Sequence, residues 1–122
     1  MALFIDNEFT GHAGTRLSFK IECDALTYED IQTIASIIAR NHTFSRVCGV
    51  PRGGLRLAEA LQKHLSPDGL TLIVDDVLTS GMSMEEARKE HGEETLGVVV
   101  FARGPCPEWV RPVFQLSEWA NS

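Results

Sequence analysis

The 122-residue chain carries 11 Lys and Arg against 17 Asp and Glu, a net charge of -6, so it offers no broad basic face to a nucleic-acid backbone and no nucleic-acid partner is expected. Hydrophobic residues at 43% and charged residues at 23% match a folded globular chain rather than a disordered one, and the length suits a single domain over 1–122 with one core. No apolar run approaches the ~20 residues of a membrane span, Met1 to Asp6 shows no basic-then-apolar leader, and Cys23, Cys48 and Cys106 show no C-x-x-C spacing; a soluble, unsecreted protein in a reducing cytoplasm is expected, with no membrane, disulfide framework or zinc site.

Residues 3 to 23 read as short strands and loops forming a cap. A first helix is predicted from Thr27, capped with Asp30 three residues on, to about Asn41, burying Ile31, Ile34, Ala35 and Ile38. Val47 to Val50 is a short buried strand that enters the break Pro51-Arg52-Gly53-Gly54. A second helix follows on the spacing of Leu55, Ala58, Leu61 and Leu65, ended by Ser66-Pro67-Asp68-Gly69. Leu70 to Val74 is the next strand, Ser83 and Glu86 read as a capping box for a third helix reaching about His91, and Thr95 to Phe101 is a third core strand. From Gly104 the prolines Pro105, Pro107 and Pro112 argue against a long regular element, with Trp109, Phe114 and Trp119 packing the tail onto the sheet. Strands alternating with helices predict an α/β fold around a parallel sheet.

The chemistry concentrates at two strand ends. Asp75-Asp76 follows Leu72-Ile73-Val74 at the carboxyl end of a buried parallel strand, where open α/β sheets hold ligands. Thr79-Ser80-Gly81-Met82-Ser83 then forms a hydroxyl- and glycine-rich turn into a helix, a place where free N–H groups suit a phosphate. Separately, a capping serine and two solvated carboxylates explain these residues as well as function does; their combination with the apolar strand points to a ligand. One strand earlier, Gly49-Val50-Pro51-Arg52-Gly53-Gly54 supplies a charge and glycines that let backbone approach an anion, and its tightness makes a strained or cis peptide near Pro51-Arg52 an expectation.

These segments resemble the type I phosphoribosyltransferase family, and Asp75-Asp76-Val77-Leu78-Thr79-Ser80-Gly81 is most similar to its orotate phosphoribosyltransferase version. Glu8-Phe9-Thr10-Gly11-His12-Ala13-Gly14 resembles that enzyme's Glu-Phe-Thr-Leu-Lys-Ser-Gly stretch, part of its base-binding hood. The resemblance covers roughly residues 8 to 103. It implies a small three-layer α/β domain, a parallel sheet flanked by helices with a short N-terminal hood, that binds Mg-5-phosphoribosyl-1-pyrophosphate. By the same resemblance Asp75 and Asp76 hold the ribose hydroxyls, Thr79, Ser80, Gly81, Met82 and Ser83 cradle the 5-phosphate, and Pro51, Arg52, Gly53 and Gly54 hold the pyrophosphate. His12, Lys20 and Arg103 are the base-binding candidates, with a surface position the competing reading for each. Mg²⁺ is implied as cofactor, held mainly by the ligand's own oxygens, and a homodimer is possible within the family pattern.

The implied reaction transfers phosphoribose to a nitrogenous base. Thr79 stands where purine-type relatives can carry an acidic residue, so orotate or another pyrimidine is favoured. One departure bears on catalysis: the family's long mobile loop with basic residues is replaced by Leu65-Ser66-Pro67-Asp68-Gly69, which removes the lid that excludes water and completes a site on closure. A catalytically weak binding or regulatory protein is therefore the alternative. A phosphatase with a strand-end Asp nucleophile is the third reading, weakened by the lack of Asp-x-Asp.

Overall fold

The computed structural model describes residues 2–6, 9–10, 16–17, 20–92 and 94–116. The N-terminal part forms two small antiparallel ribbons: β1 (Phe4–Ile5) pairs with β4 (Lys20–Ile21), and β2 (Phe9–Thr10) with β3 (Arg16–Leu17). A 3-10 turn at Cys23–Ala25 leads into α1 (Tyr28–Asn41). The core then runs β5 (Phe44–Gly49), α2 (Leu55–Leu61), β6 (Leu70–Leu78), α3 (Met82–His91), β7 (Thr95–Ala102) and β8 (Val110–Gln115). The four long strands make one parallel sheet whose spatial order, β5-β6-β7-β8, is the chain order.

Helix α1 forms as its sequence dictates. The Thr27 hydroxyl accepts from the Asp30 N–H at 3.0 Å while the Asp30 carboxylate accepts from the Thr27 N–H at 2.8 Å, and Ile31, Ile34, Ala35 and Ile38 are its buried stripe. That stripe meets Leu57, Ala58, Ala60 and Leu61 of α2 over Leu72, Val74, Val98 and Val100 of the sheet. The other face of the sheet, through Ile73 and Val99, packs on Met84 of α3 together with Leu78, Ala102 and Val110. Helices α1 and α2 thus cover one face and α3 the other, completing the three layers.

Four sequence expectations shift. The buried side of α2 is Leu57, Ala58, Ala60 and Leu61, whereas Leu55 is 51% exposed and Leu65 lies beyond the helix at 40% exposure; the helix is only seven residues long and passes into a 3-10 turn at Gln62–His64, so a stripe drawn through Leu65 misplaces its face. Strand β5 begins at Phe44, which is buried although polar Ser45 and Arg46 follow it. Ser83 is not the cap of α3: Gly81 occupies that position at φ 83°, with no side-chain cap bond, because the chain turns into the helix through a left-handed residue that favours glycine. The proline-rich tail supplies a fourth strand, β8, with Pro112 opposite Val99 on the sheet's edge, where an N–H is dispensable. Trp109 does pack on the sheet, its Nε1–H donating to Glu85 at 2.6 Å, and Phe114 stacks on Phe101 at 5.5 Å; Trp119 lies outside the described residues.

Candidate functional site

Because α2 and α3 lie on opposite faces, the helical covering changes sides between β5 and β6, and a crevice opens beyond the carboxyl ends of those two strands. Both sequence-marked segments sit there. The turn at 51–54 follows β5 and opens α2, and the acidic pair lies on β6, one strand over.

Asp75 and Asp76 belong to the strand itself rather than to a loop after it. Strand β6 continues through Val77 and Leu78, which pair with Phe101 and Ala102. The pair nevertheless distorts its surroundings: the Asp75 Oδ1 accepts from the Asp76 N–H at 2.8 Å, and the Asp76 Oδ1 accepts from the Val77 N–H at 2.7 Å. Side alternation slips there, since Val74 and Val77, three residues apart, both pack toward the α1–α2 layer. The two carboxylates consequently meet different environments. Asp75 is 9% exposed; burial, followed by its hydrogen bond and charge repulsion with Asp76, pushes its carboxyl up to about 8, so it holds a proton at neutral pH. Asp76 lines an open cleft.

That cleft, of about 350 Å³, is lined by Asp76, Arg52, Gly53, Cys23, Asp24 and Arg56 over an apolar floor that includes Ile31 and Val100. Gly53 packs so closely on the Asp76 carboxylate that a Cβ there would collide with it. The Pro51–Arg52 peptide is cis, as the tightness of this turn led us to expect. The Arg52 side chain is exposed and makes no hydrogen bond or ion pair with a described residue, while its carbonyl accepts from the Leu55 N–H at 3.2 Å. The Cys23 thiol hydrogen-bonds Asp76, and burial together with the charges of Asp76 and Asp75 pushes it up to about 12, leaving it a neutral donor rather than a nucleophile.

The turn from Thr79 to Ser83 lies at the same end of the sheet, directly after β6. Gly81 is buried, Ser80, Met82 and Ser83 are exposed, and the Met82 N–H reaches the Ser80 hydroxyl at 3.4 Å. The base-binding candidates are less closely assembled. Lys20 is in β4, paired with Ile5; Arg103 is buried at 5% exposure, not at the surface, with its N–H donating to the Leu78 carbonyl at 3.0 Å, and it does not line the cleft described. His12 lies outside the described residues. Cys23 and Arg56 are two cleft residues that sequence reasoning passed over. Neither carried a usable signal, since Cys23 reads as a small buried thiol and Arg56 as an ordinary helix position just past the turn that holds Arg52.

No protein-family model matches the sequence, and no curated protein matches it. The fold, however, resembles solved phosphoribosyltransferases. Orotate phosphoribosyltransferase from Aeropyrum pernix superposes with a TM-score of 0.71 at 23% identity, over 93% of this chain and 88% of that one. UMP synthase from Leishmania donovani gives 0.73 at 18% identity over 93% of this chain, which spans 34% of the Leishmania protein. The xanthine-guanine-hypoxanthine phosphoribosyltransferase of Helicobacter pylori is similar over less of the chain, with a TM-score of 0.52 at 18% identity and 70% coverage. The α/β architecture expected from the sequence is therefore that of these enzymes.

Proposed function

We propose that the chain binds Mg-5-phosphoribosyl-1-pyrophosphate at the β5–β6 crevice and transfers its phosphoribose to a nitrogenous base, orotate or another pyrimidine. The observation that carries this reading is the convergence of Asp76, Arg52 and Gly53 on one cleft at the point where the helices change faces, in a fold similar to phosphoribosyltransferases of pyrimidine and purine bases. In this reading Asp76 accepts hydrogen bonds from the ribose hydroxyls, and Asp75, neutral and tied to the Asp76 N–H, fixes its neighbour's orientation. Thr79 to Ser83 take the 5-phosphate on backbone N–H groups. Pro51 to Gly54 face the pyrophosphate, with Arg52 opposing the charge that gathers on it as the bond from the anomeric carbon to its oxygen breaks and the carbon–nitrogen bond forms. Neither carboxylate has to deliver a proton.

The donor set fits a metal carried in by the ligand rather than a protein-built site. Asp76 is a described carboxylate lining the cleft where such an ion would be needed, and Mg²⁺ arriving with the ligand would supply charge neutralisation to the leaving group. Arg103, which is buried, and Lys20 of β4, with His12 beyond the described residues, remain our assignment for the base. The same reading places the chain in a reducing cytoplasm, where Cys23, Cys48 and Cys106 stay free thiols, and takes it to be a homodimer.

A second reading, a phosphoribosyl-pyrophosphate-binding protein of low turnover, is favoured by one feature: α2 connects to β6 through Gln62–Gly69 alone. Calorimetry with Mg-5-phosphoribosyl-1-pyrophosphate, repeated with orotate and with adenine, tests the site common to both, and single-turnover pyrophosphate release separates them. Binding that Asp76→Asn weakens at least ~10-fold without loss of folding supports the site. Unchanged affinity in that variant would remove Asp76 from the ribose contact, and equal affinity for adenine and orotate would remove the pyrimidine preference.

A further inference from the structure

The cleft carries negative charge of its own. Asp76 and Asp24 both line it, and a diphosphate settling beside them needs cations held in place. The connection from α2 to β6 cannot supply them, because it lies at the opposite end of the strands: β6 begins at Leu70 beside Phe44, the first residue of β5, while the cleft opens past Gly49 and Val74. Among the described residues, the cations that line the cleft are Arg52 and Arg56.

Arg56 is placed for more than surface charge. Its Nη2 donates to the Leu26 carbonyl at 2.7 Å, tying the first turn of α2 to the segment that enters α1, and both residues line the cleft. One of its five N–H donors is thereby used, and the others remain directed at no described residue. The guanidinium of Arg52, four residues earlier, bonds no described residue. Arg56 also lines an adjoining groove of about 460 Å³ between α1 and α2, with Tyr28, Gln32, Glu59 and Lys63, so it stands at the boundary between the two spaces.

We infer that Arg56 joins Arg52 in a two-arginine subsite for the diphosphate of the ligand, supplying from the body of the fold the charge that the absent loop cannot bring. A guanidinium fork binds phosphate oxygens in pairs, and one already anchored through a backbone carbonyl loses little freedom on doing so. The inference rests on the ligand proposed above, and its test separates the two. Calorimetry is run on the whole chain with Mg-pyrophosphate and, separately, with ribose 5-phosphate, for the parent and Arg56→Gln, with thermal melting of each. Arg56→Gln should weaken Mg-pyrophosphate ~10-fold to ~100-fold and leave ribose 5-phosphate within about twofold. Equal loss for both ligands would overturn the inference, since that pattern reports a hinge loosened at Leu26. No loss for pyrophosphate would overturn it as well. A parent chain that binds ribose 5-phosphate but not Mg-pyrophosphate defeats the subsite alone, whereas one that binds neither defeats the parent reading and the subsite together. Should Arg56→Gln fail to fold, Arg56→Lys, which keeps a charge and one donor for Leu26, is read instead: selective weakening of pyrophosphate supports the fork, and unchanged affinity refutes it.

Discussion

Replacing Asp75 by Asn should make the protein more stable at neutral and alkaline pH, and the advantage should vanish in acid. The Asp75 carboxyl is 9% exposed, with its Oδ1 already accepting from the Asp76 N–H. Asn keeps that acceptor, and its amide can donate toward Asp76 as the protonated acid does, so the variant copies the neutral form at every pH. In the folded chain burial and Asp76 raise the group to about 8, whereas in the unfolded chain it ionises near pH 4. Between those two values the folded state binds the extra proton, so stability falls as pH rises, by about 1.4 kcal/mol per pH unit at most. Below about pH 4 both states are protonated and the term is fully favourable; above about 8 both are ionised and the loss is complete. From pH 5 to pH 8 the parent should therefore lose at most ~4 kcal/mol that Asp75→Asn keeps. Urea melts of both proteins at pH 5, 6, 7 and 8, followed by far-UV circular dichroism, measure the difference. Parallel stability curves would show that Asp75 ionises normally, and the account of a proton-holding partner beside Asp76 would fail.

Gly53→Ala should abolish ribose 5-phosphate binding measured by calorimetry while the chain stays folded, since the new Cβ would meet the Asp76 carboxylate; retained affinity would mean that the turn yields. Thr27→Ala removes one half of the α1 capping box and should cost about 1 kcal/mol in urea melts, with ligand affinity unchanged. Turnover, followed as pyrophosphate release in single-turnover mixing, should fall at least ~100-fold below enzymes that close a lid. Fast release at high dilution would contradict this, and release that speeds up with protein concentration would point to residues supplied by a second copy.

Much of this molecule is legible in its sequence, and the failures have physical causes. The start of α1 is readable because Thr27 and Asp30 complete one another locally and the apolar spacing that follows is regular. The acidic pair points to the site only in combination, between the apolar strand Leu72-Ile73-Val74 and the hydroxyl- and glycine-rich turn at Thr79 to Ser83. That they lie within β6 was hidden, because the strand's continuation depends on pairing with Phe101 and Ala102, a contact between distant residues. The cap of α3 was misread for a similar reason: Ser83 and Glu86 fit a local pattern, but the turn's path required positive φ at Gly81. Strand β8 was obscured by Pro112, which a local rule counts against a strand and an edge position accepts. Arg56 reads as an ordinary exposed helix position until the Cys23–Leu26 segment is seen packed against it.

The order of the sheet has one more consequence, in its chirality. Moving from β5 to β6 and from β6 to β7, the chain steps twice in the same direction across the sheet, yet it crosses by α2 on one face and by α3 on the other. Two such crossovers are mirror images in hand, so one of them is left-handed, an arrangement that parallel connections almost always avoid. A chain that first visited the open side of β5, adding strands there before returning to β6, would carry the same helices on the same faces without that step. The turn at 65–69 is where such strands would be inserted, beside an edge already exposed and at the end of the sheet away from the cleft. The site and the length of the chain are thereby uncoupled: material can be gained or lost at that turn while Asp76, Arg52 and Gly53 keep their places.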